Sequence, residues 1–218
     1  MKVGTDGVLL GAWVPLRPED RLLLDLGTGC GVIALMLAQR QADARITALD
    51  IDPDCVEQTR ENAERSPWGG RITAVEAPVQ EFFPPEPFDL IVSNPPYFEN
   101  SLLSPDAGRS RARHTASLSF AELLQAADRL LTPEGRLAVV LPTEEAKRFR
   151  LLASQRFWLE ARLDVRTTPR RPVKRSLMLF GRRQPAHEPA IEELVIQTAP
   201  ETFTPEYRAL TGDFYLKF

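Results

Sequence analysis

Residues 21–31 read Arg21-Leu-Leu-Leu-Asp-Leu-Gly-Thr-Gly-Cys-Gly31, and the segment Val32 to Arg40 follows at once with a helical pattern. An apolar strand that runs into a glycine turn and re-emerges as a helix is the opening unit of an α/β sheet, which takes its ligand at that crest. Gly27, Gly29 and Gly31 permit positive φ and close approach of backbone to ligand. A glycine triplet alone would serve a dinucleotide pyrophosphate equally well. Here the spacing is G-x-G-x-G, not G-x-G-x-x-G, and Asp25 stands two residues before the first glycine. A carboxylate there opposes a pyrophosphate and suits a cationic amino-acid group. Asp50 closes the strand Arg45-Ile-Thr-Ala-Leu49, where a carboxylate can accept hydrogen bonds from ribose hydroxyls. With its neighbour Ile51 counted in the same site, these residues point to S-adenosylmethionine as cofactor.

Working outward, strands and helices alternate as in a parallel sheet covered on both faces. The pattern predicts strands near 22–26, 45–49, 71–75, 88–93 and 136–141. Helices are expected over roughly 7–14, 30–40, 53–65, 119–131 and 143–155. Pro53 suits a first helical turn, and Thr132-Pro-Glu-Gly135 reads as a stop before the fifth strand. Past residue 157, two β-rich runs (158–167 and 176–182) flank Pro169-Arg-Arg-Pro-Val-Lys-Arg175 and predict a C-terminal antiparallel hairpin. Residues 192–198 are expected to add an edge strand. The conformation of 207–218 stays open.

Behind the strand Phe88-Asp-Leu-Ile-Val-Ser93 comes Asn94-Pro-Pro-Tyr97. Neither proline can donate to a sheet ladder, so the strand stops and the carbonyls of Asn94 and Pro95 are left for a ligand. An NH2 group held between the Asn94 side-chain oxygen and the Pro95 carbonyl has its lone pair aimed outward. Pro96 stiffens the turn, and Tyr97 offers a face on which a flat substrate can stack. A bare Pro-Pro-Tyr is otherwise a strand-ending turn with a buried tyrosine. Its company with the glycine turn makes Asn94, Pro95, Pro96 and Tyr97 the catalytic candidates, with Asn94 also at the cofactor.

Asp-Leu-Gly-Thr-Gly-Cys-Gly31, the strand-end Asp50 and Asn94-Pro-Pro-Tyr97, in this order, resemble the class I methyltransferases that modify exocyclic or amide nitrogens. The start Lys2-Val-Gly-Thr-Asp-Gly-Val-Leu-Leu-Gly-Ala-Trp13, the stretch Arg111-Ala-Arg-His-Thr115 with Leu118, and the terminal Phe214-Tyr-Leu-Lys-Phe218 are similar to the tRNA1(Val) adenine-37 N6-methyltransferase family. The likeness runs over essentially the whole chain. It implies a Rossmann-like fold and methyl transfer to the N6 amine of adenosine 37 in a valine tRNA. It further implies that Thr5 and Asp6 close over the methionine part of the cofactor, although Asp6 would equally serve as a helix N-cap. Arg113, His114 and Thr115, with Phe98, are implied to shape the substrate pocket. Such enzymes often place an Asp where this chain has Pro78, so backbone groups around Val79, or Gln80, are expected to meet the cofactor adenine. Relatives carry a short segment ahead of the Lys-Val-Gly-Thr-Asp stretch, and any contact it makes is expected to be absent or supplied differently here.

The chain has 218 residues, 43% of them apolar, enough for the core of one domain spanning 1–218. No apolar run approaches the ~20 residues that cross a bilayer, and the start lacks a signal-peptide layout. A cytoplasmic protein with no membrane contact and no obligate protein partner is expected. Cys30 and Cys55 lack metal-ligand spacing and read as free thiols; with only His114 and His187 besides, no metal is expected. The net charge of −3 hides a cluster: between Arg162 and Arg183 there are eight basic residues against the single acid Asp164. Arg170, Arg171, Lys174 and Arg175 in its loop are candidates for phosphate contacts with tRNA, against the plainer reading of a solvated turn. Two rival functions stand beside tRNA methylation: methylation of a protein glutamine amide, as by release-factor methyltransferases, and a cofactor-binding RNA module without catalysis. The glycine spacing argues against a nicotinamide dehydrogenase.

Overall fold

The computed structural model describes residues 3–96 and 118–216. Its centre is an eight-stranded sheet in the order β3-β2-β1-β4-β5-β7-β6-β8. In chain order the strands are β1 (Leu22–Leu26), β2 (Arg45–Asp50), β3 (Ile72–Glu76), β4 (Phe88–Ser93), β5 (Leu131–Pro142), β6 (Trp158–Arg166), β7 (Arg175–Gly181) and β8 (Ala190–Val195). Only β7 runs against its neighbours, lying antiparallel between β5 and β6. The helices are α1 (Thr5–Trp13), α2 (Val32–Arg40), α3 (Pro53–Glu64), α4 (Phe120–Leu130), α5 (Thr143–Ala153) and α6 (Pro205–Thr211).

The central strands read as unbroken apolar runs because both faces of the sheet are covered. In β5, Leu137, Val139 and Leu141 enter the core layer of α4 and α5, while Ala138 and Val140 enter the opposite layer with α1 and α2. Local signals set the helix starts. Ser119 and Glu122 form a reciprocal capping box at α4, and Asp52 caps α3 ahead of Pro53. The expected strands and helices up to β7 are present, but β5 begins at Leu131, ahead of the expected 136, and runs through the stop expected before it. The Thr132-Pro-Glu-Gly135 signal marks an irregularity within β5: opposite β4, the register passes from Phe88↔Leu131 to Leu90↔Arg136.

Three expectations change. Asp6 is not a helix cap, because α1 begins at Thr5 with Gly4 before it. The expected edge strand 192–198 is divided into β8 and β9 (Gln197–Ala199), the latter paired with β10 (Thr202–Phe203) in a small second sheet. The tail left open folds into α6 and a 3₁₀ turn at Gly212–Phe214. At the foot of the main sheet, a buried ion pair joins Arg136 Nη2 to Asp20 Oδ2 at 2.5 Å, and Arg136 Nη1 donates to the Pro15 carbonyl at 2.8 Å.

Candidate active site

The strand order reverses between β1 and β4: β1 leads to β2 and β3 on one side, and the chain then returns to lay β4 on the other. A crevice opens at such a switch point, outside the carboxyl ends of the strands. Leu26 of β1 stands opposite Ser93 of β4, so Gly27 and Asn94 leave the sheet side by side. The Ser93 hydroxyl donates to the Leu26 carbonyl at 2.8 Å and ties the two exits together. Sequence reasoning passed over Ser93; its signal was a small hydroxyl residue ending an otherwise apolar strand.

The glycine turn is held from three sides. Gly27, Gly29 and Gly31 all have positive φ, at 75°, 60° and 79°. A Cβ at Gly27 would enter open space, so the turn presents bare backbone to a ligand, whereas one at Gly31 would come within 2.9 Å of the Thr59 side chain. From α3, Thr59 Oγ1 donates to the Gly29 carbonyl at 3.1 Å and Asn62 Nδ2 to the Cys30 carbonyl at 2.9 Å. From beneath, Asp25 Oδ2 accepts from Thr28 Oγ1 at 2.6 Å and from the Ala34 N–H at 3.1 Å. The carboxylate is fully buried, and Oδ1 has no hydrogen-bond partner among the described residues. Burial pushes the Asp25 pKa up to about 7, opposed by the Thr28 and Ala34 hydrogen bonds and helped by the negative charge of Asp50.

Asp50 ends β2, where Oδ2 accepts the Gly29 N–H at 2.9 Å and Oδ1 the Asp52 N–H at 3.1 Å. A carboxylate oxygen accepts more than one hydrogen bond, so both retain capacity for hydroxyls. Ile51 beside it is an apolar side chain left 47% exposed. The Ala77 N–H donates to the Asp50 carbonyl at 3.0 Å, which sets the segment of Val79 and Gln80 next to that acid. Val79 is buried and its carbonyl takes Arg129 Nη2 at 2.6 Å; the exposed Gln80 donates to Glu122 Oε1 at 3.0 Å. An open glycine turn, a buried acid with an unmatched oxygen, a strand-end carboxylate and a bare aliphatic side chain are what the methionine, ribose and adenine parts of S-adenosylmethionine require.

A cleft of about 840 Å³ gathers residues far apart in sequence: Thr5, Asp6, Asn94, Lys174, Arg175 and the aromatic residues of the tail. Asp6 Oδ2 accepts Arg175 Nε at 2.7 Å. Asn94 is half-buried, Pro95 buried and Pro96 exposed. Arg170 and Arg171 are exposed in the β6–β7 loop and do not line the cleft; the loop is closed by the Lys174 N–H on the Val165 carbonyl at 2.8 Å. Tyr97, Phe98, Arg113, His114 and Thr115 lie outside the described residues. The basic run is largely neutralised: Arg162, Arg166, Arg175, Arg182 and Arg183 pair with Asp164, Glu193, Asp6, Asp128 and Glu134. Arg170, Arg171 and Lys174 have no ion pair among the described residues, which leaves them as cations open to phosphate. Among the described residues, no helix is long and apolar enough to cross a membrane and no acid, His or Cys cluster could hold a metal.

The chain resembles known proteins over its whole length. The methyltransferase small domain family matches residues 7–155. A tRNA1(Val) (adenine(37)-N6)-methyltransferase from Flavobacterium johnsoniae is 45% identical over 220 residues, covering 100% of this chain and 93% of its own. A protein of the same name from Bacteroides thetaiotaomicron is 45% identical over 219 residues, covering 99% and 91%. Among solved structures, a predicted O-methyltransferase from Agrobacterium tumefaciens superposes with a TM-score of 0.74 over 95% of this chain and 96% of its own, at 19% identity. A methyltransferase from Pyrococcus furiosus gives a TM-score of 0.53 over 76% of each chain at 20% identity. At such identities the structures speak for the fold, which is the Rossmann-like class I methyltransferase fold. By its sequence over its full length, the chain belongs to the family of the tRNA1(Val) (adenine(37)-N6)-methyltransferases.

Proposed function

We propose that residues 1–218 act as a single catalytic domain that methylates the N6 amine of adenosine 37 in a valine tRNA, in the cytoplasm, with S-adenosylmethionine as donor. The observation that carries this reading is the register Leu26↔Ser93, which sets the Asn94 strand end beside the glycine turn. Bound cofactor supplies an electrophilic sulfonium methyl group. The chain's own part is orientation. Asn94 Oδ1 and the Pro95 carbonyl accept the two hydrogens of the adenine amine and turn its lone pair toward the donor, while Tyr97 stacks the base. Held by these residues, the cofactor would supply the methyl group and be left as the neutral thioether, and the amine nitrogen would release its extra proton to water. No strong general base is needed.

On the cofactor side, the glycine turn and Asp25 hold the methionine portion, Asp50 the ribose, and Ile51 with Val79 and Gln80 border the adenine. Thr5 and Asp6 close the cleft over them. The phosphates of the tRNA fall to Arg170, Arg171 and Lys174, with Arg113, His114, Thr115 and Phe98 assigned to the substrate pocket.

The test is transfer of labelled methyl from S-adenosylmethionine to unmodified tRNA, followed by nucleoside analysis, with release factor assayed in parallel. N6-methyladenosine at position 37, lost in Asn94→Ala, is the expected result. Label in the release factor alone would replace this reading with glutamine methylation, and cofactor binding without any transfer would make the protein a non-catalytic module.

A further inference from the structure

Phe203, Tyr207 and Tyr215 line the cleft together with Lys174 and Arg175, and the tail segment is anchored firmly enough to hold them there. Thr204 caps α6 by accepting the Tyr207 N–H at 3.1 Å, and its own N–H donates to the Ile196 carbonyl at 3.0 Å. Tyr207 is buried in the core layer shared with α1 and α2. The Phe203 ring stacks on it with centroids 5.3 Å apart and planes 22° from parallel. Beyond the 3₁₀ turn, the Tyr215 hydroxyl lies 3.3 Å from the Tyr207 hydroxyl. Burial holds the Tyr207 phenol well above its ordinary pKa, so its proton stays available for that hydrogen bond. Tyr215 is thereby fixed by its polar end to a buried partner, while the residue as a whole remains 37% exposed at the cleft.

Lys174 and Asn94 line the same cleft. Aromatic faces beside a cation that tracks the backbone are how proteins hold unpaired nucleotides, because every base has a face to stack and every step a phosphate. Resting on the function proposed above, we infer that Tyr215 is a stacking platform for an unpaired nucleotide adjacent to the target adenosine, with Lys174 on the phosphate between them. The cleft then binds a short single-stranded stretch and not an isolated base. Such a contact favours a loop adenosine over the same base in a duplex, whose neighbours remain stacked on one another.

The experiment uses unmodified anticodon stem-loop RNA carrying either an intact or an abasic nucleotide on each side of the target, with the wild type, Tyr215→Ala, Tyr215→Phe and Lys174→Ala. Tyr215→Ala should raise KM for the intact stem-loop by about 5- to 150-fold, the range for losing one stacked base. The cofactor Kd should stay at the wild-type value, and Tyr215→Phe, which keeps the stacking face but loses the tether to Tyr207, should raise KM by less than Tyr215→Ala does. One abasic neighbour should cost the wild type a comparable factor and cost Tyr215→Ala nothing further. Lys174→Ala should flatten the dependence of KM on salt. Equal KM for wild type and Tyr215→Ala, or losses from alanine and abasic site that simply multiply, would overturn the inference alone. Should Tyr215→Ala also lose cofactor binding, the wild type decides: indifference to both abasic neighbours overturns the platform. If the wild type fails to methylate the intact stem-loop, the proposed function falls and this inference with it.

Discussion

Two aspartates five residues apart, Asp20 and Asp25, are both buried, at 3% and 0% exposure, yet they live under opposite electrostatic conditions. Asp20 sits at the foot of the sheet, where one oxygen takes both the Arg136 guanidinium at 2.5 Å and the Arg17 N–H at 2.7 Å. Asp25 sits at the crest with one oxygen unmatched and no ion pair among the described residues. A buried carboxylate without a counter-charge costs stability in the ligand-free protein. The foot is built to hold together; the crest keeps an unmatched carboxyl oxygen at the place proposed above for the cofactor.

The same substitution at both sites separates these roles. Asp20→Asn strands a buried guanidinium and should lower unfolding free energy by about 3–5 kcal/mol, read by urea denaturation, with turnover of the surviving folded fraction unchanged. Equal stability would place the value of that pair elsewhere. Asn94→Ala, at the crest, should do the reverse: turnover down about 100-fold, with the midpoint near wild type and cofactor Kd changed far less than turnover. A variant with wild-type turnover would remove the orienting role given to Asn94.

Asp25→Asn should weaken cofactor binding about tenfold at pH 8, a change of about 1.4 kcal/mol, without loss of stability at that pH. Its pH signature gives the finer test. With a folded pKa of about 7 against an ordinary value of 3.8, the folded protein keeps a proton that the unfolded chain has lost. Asp25 therefore makes stability fall as pH rises from about 4 to about 7, by up to roughly 1.4 kcal/mol per unit, and the contribution is level above that. Asp25→Asn should abolish this slope. Cofactor binding near neutral pH should also release a proton in the wild type alone, measurable by calorimetry in buffers of different ionisation heat.

Most of the frame could be read in the sequence, because each central strand is an apolar run bounded by its own stop signal. The glycine turn and Asp50 were equally plain, since their chemistry is local. What escaped reading depends on sheet order. Arg182 and Arg183 look like part of a free basic cluster until the fold brings them to Asp128 and Glu134. The cap reading of Asp6 fails because α1 starts at Thr5, and its pairing with Arg175 shows only once β7 is in place. The place of Tyr207 and Tyr215 at the cleft was equally hidden, because it follows from the packing of α6 against the sheet.

The lone reversed strand, β7, has a consequence for how such a chain can change. Because it runs against β5 and β6, the β6–β7 turn comes out at the same edge as the glycine turn, with Arg175 paired to Pro142 at the end of β5. That turn can lengthen, shorten or exchange its side chains with every parallel strand pair left in register. On the function proposed above, the side chains offered to nucleic acid can therefore change while the glycine turn stays as it is, and the two sides of the site can diversify at separate rates.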